Sequence, residues 1–387
     1  MREMNVKAVY QKLVGAKKLS IIRLHLFKTY ISEWFAIIKK HKLYKNIKWT
    51  EEQQRTFDNF WIQHYGKRIS PRWHKLYQSI NEVFAVDYYP DVLFSTKLEM
   101  RMNPYFLCEH LQSKALPELL LGGDLTDGTA GVRLPHTFAV HVGDYCYEKS
   151  RKVCSYESLL ASLANIGICV IKPAQGGSSG RAFRVMNISN GIDLRSDVSL
   201  RAILDTYQGN FIIQEKLEQC EAVNRLYSGS INSFRVITYI CDGEVFHCPL
   251  SFRIGSGGGE VDNIHAGGIG IGVTDTGILM ENAYKLGYYD RKDVYKVHPD
   301  TKIPFNGYVV PYIDRIIKAA HLLHGRLPGI GVISWDFILD KDEQPVVIET
   351  NLIGQAVWFT QIVNGCSVFG SNTEKMVKFI KEEEVKI

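Results

Sequence analysis

Apolar side chains recur at steps of three and four through residues 6–45, where Leu19, Ile22, Leu26, Tyr30, Trp34 and Ile37 stand among lysines and arginines. That period belongs to an α-helix with one apolar face. Such a helix suits two roles: packing on the body of its own protein, or lying on a membrane surface. Thr50-Glu51-Glu52-Gln53 reads as a capping box opening a second helix that runs to about Tyr65. Ser70-Pro71 starts a third, which ends before Tyr89-Pro90. Helical spacing around 103–120 then gives way, from 131 onward, to Gly-rich and β-rich sequence. Apolar runs at 168–172, 211–214, 234–240 and 245–250 predict strands, with Asp242-Gly243 as a tight hairpin turn between the last two. Residues 310–324 predict another helix. Gly331–Leu339 and Gln344–Asn351 predict two more strands, joined by the polar turn Asp340-Lys341-Asp342-Glu343. There are no internal repeats.

At 387 residues the chain is too long for one simple core, so two or three domains are expected. Its 45% hydrophobic and 22% charged content is that of a folded soluble protein. No apolar run is long enough to predict a transmembrane helix, and the start of the chain lacks a signal-peptide pattern. A cytoplasmic protein is expected. The eight cysteines are scattered without a Cys-x-x-Cys pair, which points to reduced thiols rather than disulfides or zinc. Charge is uneven: the first 80 residues hold 17 of the 46 lysines and arginines, while acids outnumber bases in the rest. A basic front end suits an anionic partner such as a membrane or a lipid carrier, or simply a solvated helical face. It carries no nucleic-acid reader motif, so no nucleic-acid partner is expected.

Chemistry concentrates in the second half. On antiparallel strands Asp336 can lie opposite Glu349 and Asn351, which share a face as i and i+2. Three hard oxygen donors converging in this way suit Mg²⁺; the same strands also suit an ordinary surface hairpin with solvated acids. Upstream, a strand delivers Lys172 into the loop Gln175-Gly176-Gly177-Ser178-Ser179-Gly180. Glycines let backbone N–H groups approach an anion, and the lysine adds a point charge. The lysine precedes the glycines, so this is no Walker loop. Phe211-Ile212-Ile213-Gln214-Glu215-Lys216-Leu217 ends a buried strand in polar groups able to meet an adenine edge. Arg235 and Arg253, near opposite ends of a hairpin, offer guanidinium forks to phosphate. The run from Gly257 to Gly270, containing Asn263 and His265, is too rich in glycine for regular structure and suits a loop closing over a ligand.

The order of these pieces resembles the ATP-grasp superfamily over about residues 97–365. The fuller pattern is similar to its sugar-transfer-associated family: Tyr89-Pro90-Asp91, Ser113-Lys114, Arg253-Ile254-Gly255, Val261-Asp262-Asn263, His298-Pro299-Asp300-Thr301 and Trp335-Asp336. The resemblance implies an α+β fold in which two subdomains clasp ATP. A lid at about 131–217 and a metal-binding part at about 218–370 would form residues 91–387, behind a basic helical region at 1–90. It implies that Lys114 and Lys172 reach phosphates, that Gly176, Gly177, Ser178 and Ser179 lie in the lid loop, and that Gln214, Glu215, Lys216 and Leu217 line the adenine. Asp336, Glu349 and Asn351 would hold Mg²⁺. Arg235, Arg253, Asn263 and His265 would face the transferred phosphate and the acyl substrate. Glu221 is the candidate for the ribose, and His298 a further candidate for substrate contact. The implied activity is an ADP-forming carboxylate–amine ligase acting on surface-polysaccharide precursors, with an ATP-grasp kinase as the alternative. Two departures bear on the acceptor. D-alanine–D-alanine ligases carry an arginine where this chain has Ser334, and glutamate ligases that modify ribosomal protein carry one at the place of Asp262.

Overall fold

A capping box opens the second helix as expected: Thr50 Oγ1 accepts from Gln53 N, and the Gln53 side chain accepts from Thr50 N. The helix Glu51–Tyr65 ends on Gly66 in the left-handed region (φ +87). In this computed structural model, residues 6–121, 131–149, 152–176, 183–259, 261–264, 267–286 and 292–381 are described. The first helix, Val6–Lys39, packs through Ile22 and Ile37, which are buried. Tyr30 and Trp34, expected on the same face, are exposed. The cause is that apolar residues surround this helix, so its period alone does not tell which side meets the body. The helix expected from Ser70-Pro71 is Arg72–Asn81; it ends before Tyr89-Pro90 as expected, on Glu82 in the left-handed region. These helices close a core of Ile37, Trp73, Leu76, Tyr77 and Tyr88 against Tyr284 and Ile362 of the body.

The described strands form two antiparallel sheets of eight. In the first, Thr137–Val142 pairs with Asn210–Glu215, which pairs with Gly167–Lys172, which pairs with Arg184–Ser189. Helices Tyr156–Leu163 and Leu200–Asp205 cover one face, burying Leu159, Leu163, Ile203 and Leu204 against Cys169, Ile171 and Ile213. The opposite face keeps Val170, Lys172 and Gln214, since Val170 pairs with Gln214 and Lys172 lies two residues on.

In the second sheet, Leu250–Ile254, Ser233–Cys241, Val332–Leu339 and Pro345–Asn351 lie side by side. The expected run 245–250 is two strands, Glu244–His247 and Leu250–Ile254. Pro249 between them has no N–H for a ladder. The turn before it is as expected, with Asp242 (φ +51) and Gly243 (φ +83) both left-handed. Val332–Leu339 is buried at every position. Ile333, Trp335, Phe337 and Leu339 meet helix Ile313–Gly325 through Ile316, Ala320 and Leu323, while Ser334 and Asp336 occupy the other face.

One irregularity sets up the site. Phe337 pairs with Val347, but Asp336 pairs with Glu349, so Ile348 is an extra residue, a β-bulge. Val347 and Glu349 are i and i+2 and would ordinarily share a face. The bulge lets Val347 stay in the core while Glu349 joins Asp336 on the other side.

Candidate active site

The two sheets meet across a cleft of about 980 Å³, at the upper end of the about 300–1,000 Å³ typical of ligand pockets. One wall carries Lys172 and Gln214; the other carries Arg235, Arg253, Asp336, Glu349 and Asn351. Lys114, Glu215, Lys216, Leu217 and Asn263 also line it, as do Glu221 and Asn224. Of the expected residues, Gly177, Ser178, Ser179 and His265 lie outside the described residues. Gly176 has φ +67, a conformation suited to glycine, and its carbonyl accepts from Lys114 Nζ at 3.2 Å.

The lysines converge on Glu349. Lys114 Nζ is 3.3 Å from Glu349 Oε1, and Lys172 Nζ donates to the carbonyl of the bulged Ile348 at 3.4 Å. Burial pulls the Lys172 ammonium down to about 8, with Glu349 opposing and Lys114 assisting. It is a cation held with little solvation to spare.

Asp336 sits in the row Arg235–Asp336–Glu349 that the register creates across three strands. Arg235 grips it two-pronged through Nε and Nη2, the latter at 3.0 Å, and Arg253 Nη2 reaches Oδ2 at 2.8 Å. Burial alone would raise the Asp336 pKa, but Arg235 and Arg253 outweigh it and hold the carboxyl below its ordinary value. Likewise burial works against the charge on Arg253, yet Asp336 and Asp262 hold its guanidinium above the ordinary range. Arg253 also donates to Ser233 Oγ at 2.7 Å, and that hydroxyl donates to Asp262. Ser233, to which the sequence reading gave no role, and Asp262, noted there only as a motif position and a departure, thus both hold Arg253 in place. The signal for Ser233 was its place two residues before Arg235.

Ser334 is fully buried and donates to Gln355 Oε1 at 2.7 Å. Arg235 approaches Asp336 from the adjacent strand, and Arg253 from the strand beyond it.

Two expected ligands are used structurally. The Glu215 carboxylate accepts from Arg133 and from His136 N at 2.8 Å, and the Glu215 N–H donates to the His136 carbonyl at 2.9 Å. Arg133 also donates to Asp340 at 2.9 Å, so one guanidinium ties the first sheet to the second. His298 is buried; Nε2 donates to the Gly255 carbonyl at 2.9 Å, and Nδ1 accepts from Asp300 N and Thr301 N. Both ring nitrogens are spent inside the protein, and burial lowers the pKa of the ring below its ordinary value. These bonds tie it to the Gly255 carbonyl and to the turn at Asp300 and Thr301.

The donor set fits Mg²⁺. Among the described residues no three His, Cys, Asp or Glu side chains gather to cage a metal unaided. Glu349 is only partly covered, and Asn351 spends its Nδ2 on the Ser334 carbonyl at 3.4 Å, leaving Oδ1 as an acceptor. Asp336 Oδ1 retains a lone pair after Arg235 Nε, while Oδ2 accepts from both Arg235 Nη2 and Arg253 Nη2. A few hard oxygens, with water and phosphate completing the shell, is the usual provision for Mg²⁺. Around this set four cationic side chains (Lys114, Lys172, Arg235, Arg253) face three carboxylates (Asp262, Asp336, Glu349). The excess is positive and suits a polyanion.

The model of a family described as sugar-transfer associated ATP-grasp matches residues 93–376. No curated protein matches the chain. Solved structures similar to it include the D-Ala:D-Ser ligase VanG from Enterococcus faecalis (12% identity, TM-score 0.37, covering 70% of this chain and 60% of that one). Others are an ATP complex of carboxyaminoimidazole ribonucleotide synthase from Aspergillus clavatus (11%, 0.36, 65% and 48%) and an L-amino acid ligase from Bacillus licheniformis (12%, 0.34, 70% and 48%). The chain spans less than two thirds of the length of each.

Proposed function

We propose that this chain, which belongs to the sugar-transfer associated ATP-grasp family, is an ATP- and Mg²⁺-dependent ligase that joins a carboxylate to an amine. The observation that carries the reading is the convergence of Lys114, Lys172, Arg235 and Arg253 on Glu349 and Asp336 in one cleft. In this reading a lid at about 131–217 and a metal-binding part at about 218–370 close on ATP. Lys172 and Lys114 bind its phosphate oxygens, and the strand end Gln214–Leu217 lies along the adenine. Mg²⁺, held by Glu349 and Asn351 beside Asp336, supplies charge neutralisation of the phosphates. A substrate carboxylate attacks the γ-phosphorus, ADP leaves, and an amine displaces phosphate from the acyl phosphate to give an amide. Arg235 and Arg253, fixed by Asp336, face the transferred phosphoryl group and the oxyanion. The glycine loops exclude water that would hydrolyse the acyl phosphate. The family description supports a saccharide substrate, a uronic acid or amino sugar of a surface-polysaccharide precursor joined to an amino acid or similar amine.

The test is product analysis. With ATP, Mg²⁺, a panel of uronic acids and a panel of amines, ADP release should require one of each. The product mass should equal acid plus amine less one water. ADP release on a hydroxyl acceptor without amine, with phosphate added to its mass, would make the chain a kinase and reject the ligase.

Lys172 predicts a pH dependence. Its free-state pKa is about 8, and a bound phosphate, being anionic, raises it. Nucleotide affinity is therefore complete below pH 8 and falls as pH rises through that value, by at most about tenfold per pH unit. Titration of ATP binding across this range checks it. Affinity unchanged well above pH 8 in the parent would remove Lys172 from the phosphate site, and Lys172→Met should flatten the profile while weakening binding.

A further inference from the structure

The first helix has an apolar face that nothing among the described residues covers. At 100° per residue, Leu24, Phe27, Ile31, Trp34, Phe35 and Ile38 form one stripe, opposite the packed residues Ile22, Glu33 and Ile37. Phe27 is 63% exposed and Leu24 54%; Trp34, Phe35 and Ile38 are exposed too. Monomeric proteins rarely leave so contiguous an apolar strip in water. The edges of the stripe are basic. Lys17 and Lys28 lie along one side and Arg23 along the other, all exposed. The only acid of Val6–Lys39 is Glu33, and it is on the packed face, near Lys40 and Asp91. Among the described residues, no helix is long and apolar enough to cross a membrane.

We infer that this stripe is a docking surface for an anionic lipid bilayer, on which the helix lies flat. Aromatic and aliphatic side chains flanked by lysines, with no acid on that side, match what an interfacial helix requires: apolar burial among the acyl chains and cations at the headgroups. A second copy of the chain fits less well. Two such helices pressed stripe to stripe would set basic edge against basic edge, with no acid on that face to pair with them. The helix is apolar on two sides because it has two contacts to make: Ile22 and Ile37 fasten it to the body, and Phe27 and Trp34 enter the lipid.

Sedimentation of the full chain with vesicles tests this. Binding is expected to vesicles of phosphatidylcholine mixed with phosphatidylglycerol, to weaken with salt, and to be slight with phosphatidylcholine alone. Phe27→Ser with Trp34→Ser should reduce it by about tenfold or more. Lys17→Gln and Lys28→Gln should each cost about fivefold. Both pairs are exposed, so thermal midpoints should match the parent and mark any loss as a loss of docking. The inference is overturned if the parent stays in solution with both vesicle types. It is also overturned if neutral and anionic vesicles bind equally, or if the aromatic variant sediments as the parent does. Light scattering that shows a dimer split by Phe27→Ser with Trp34→Ser would assign the stripe to a second copy instead.

Discussion

Glu349→Ala is expected to lower ATP turnover by about 10²–10³-fold or more, because it removes the charge at the point where the cleft's cations converge. Lys114 and Lys172 would then face each other with no carboxylate between them, and the metal set would lose its most accessible anion. The fold should survive. The Glu349 side chain is 38% exposed and its ion pair with Lys114 is 3.3 Å long, a contact worth about 1 kcal/mol or less at a partly wet site. A thermal midpoint close to the parent with turnover gone is the expected pair of measurements. Full turnover in this variant would sink the metal assignment.

Asp336→Ala should behave differently although it lies directly across the ladder from Glu349. The Asp336 side chain is 2% exposed and holds two guanidinium groups. Its removal leaves Arg235 and Arg253 charged beside an apolar methyl, and breaking a buried pair in this way costs about 3–5 kcal/mol. Both turnover and stability should fall, the latter visible as a lower denaturant midpoint with an unchanged slope. Asp336→Asn, which keeps the shape and can still accept from both arginines, should recover part of the stability. If Asp336→Ala unfolds at the parent's midpoint, the arginines are held by other groups, and Asp262 and Ser233 are the nearest.

The contrast shows which parts of the site were legible in the sequence. Lys172, Gln214 and Glu349 stand at the ends of apolar runs and Asp336 within one, where a polar residue must have a reason, and each lines the cleft. Their partners are harder to read. Arg133 lies in a segment without periodicity, 82 residues from Glu215 and 207 from Asp340, and only the folded chain brings the three together. His298 is singled out by its place in the His298-Pro299-Asp300-Thr301 motif, but only the fold shows that both of its ring nitrogens are occupied by backbone groups. The first helix fails as a pattern because both of its faces are apolar, so the face that packs could be told only from its neighbours. The strand run at 245–250 breaks at Pro249 for a local reason that was visible in the sequence but outweighed by the apolar residues around it.

The β-bulge at Ile348 carries a consequence for how this stretch can change its length. An alternating strand cannot lose one residue without turning every later side chain to the wrong face. Here the extra residue means that deleting Ile348 would leave Val347 and Glu349 as successive residues, still facing opposite ways and still opposite Phe337 and Asp336. The segment could therefore shed a residue and keep both its core packing and its acid in place. What would go is the Ile348 carbonyl that receives Lys172. Copies of this hairpin one residue shorter can thus be sound as folds while holding the second lysine less firmly, so spacing in this stretch reports on phosphate handling rather than on foldability.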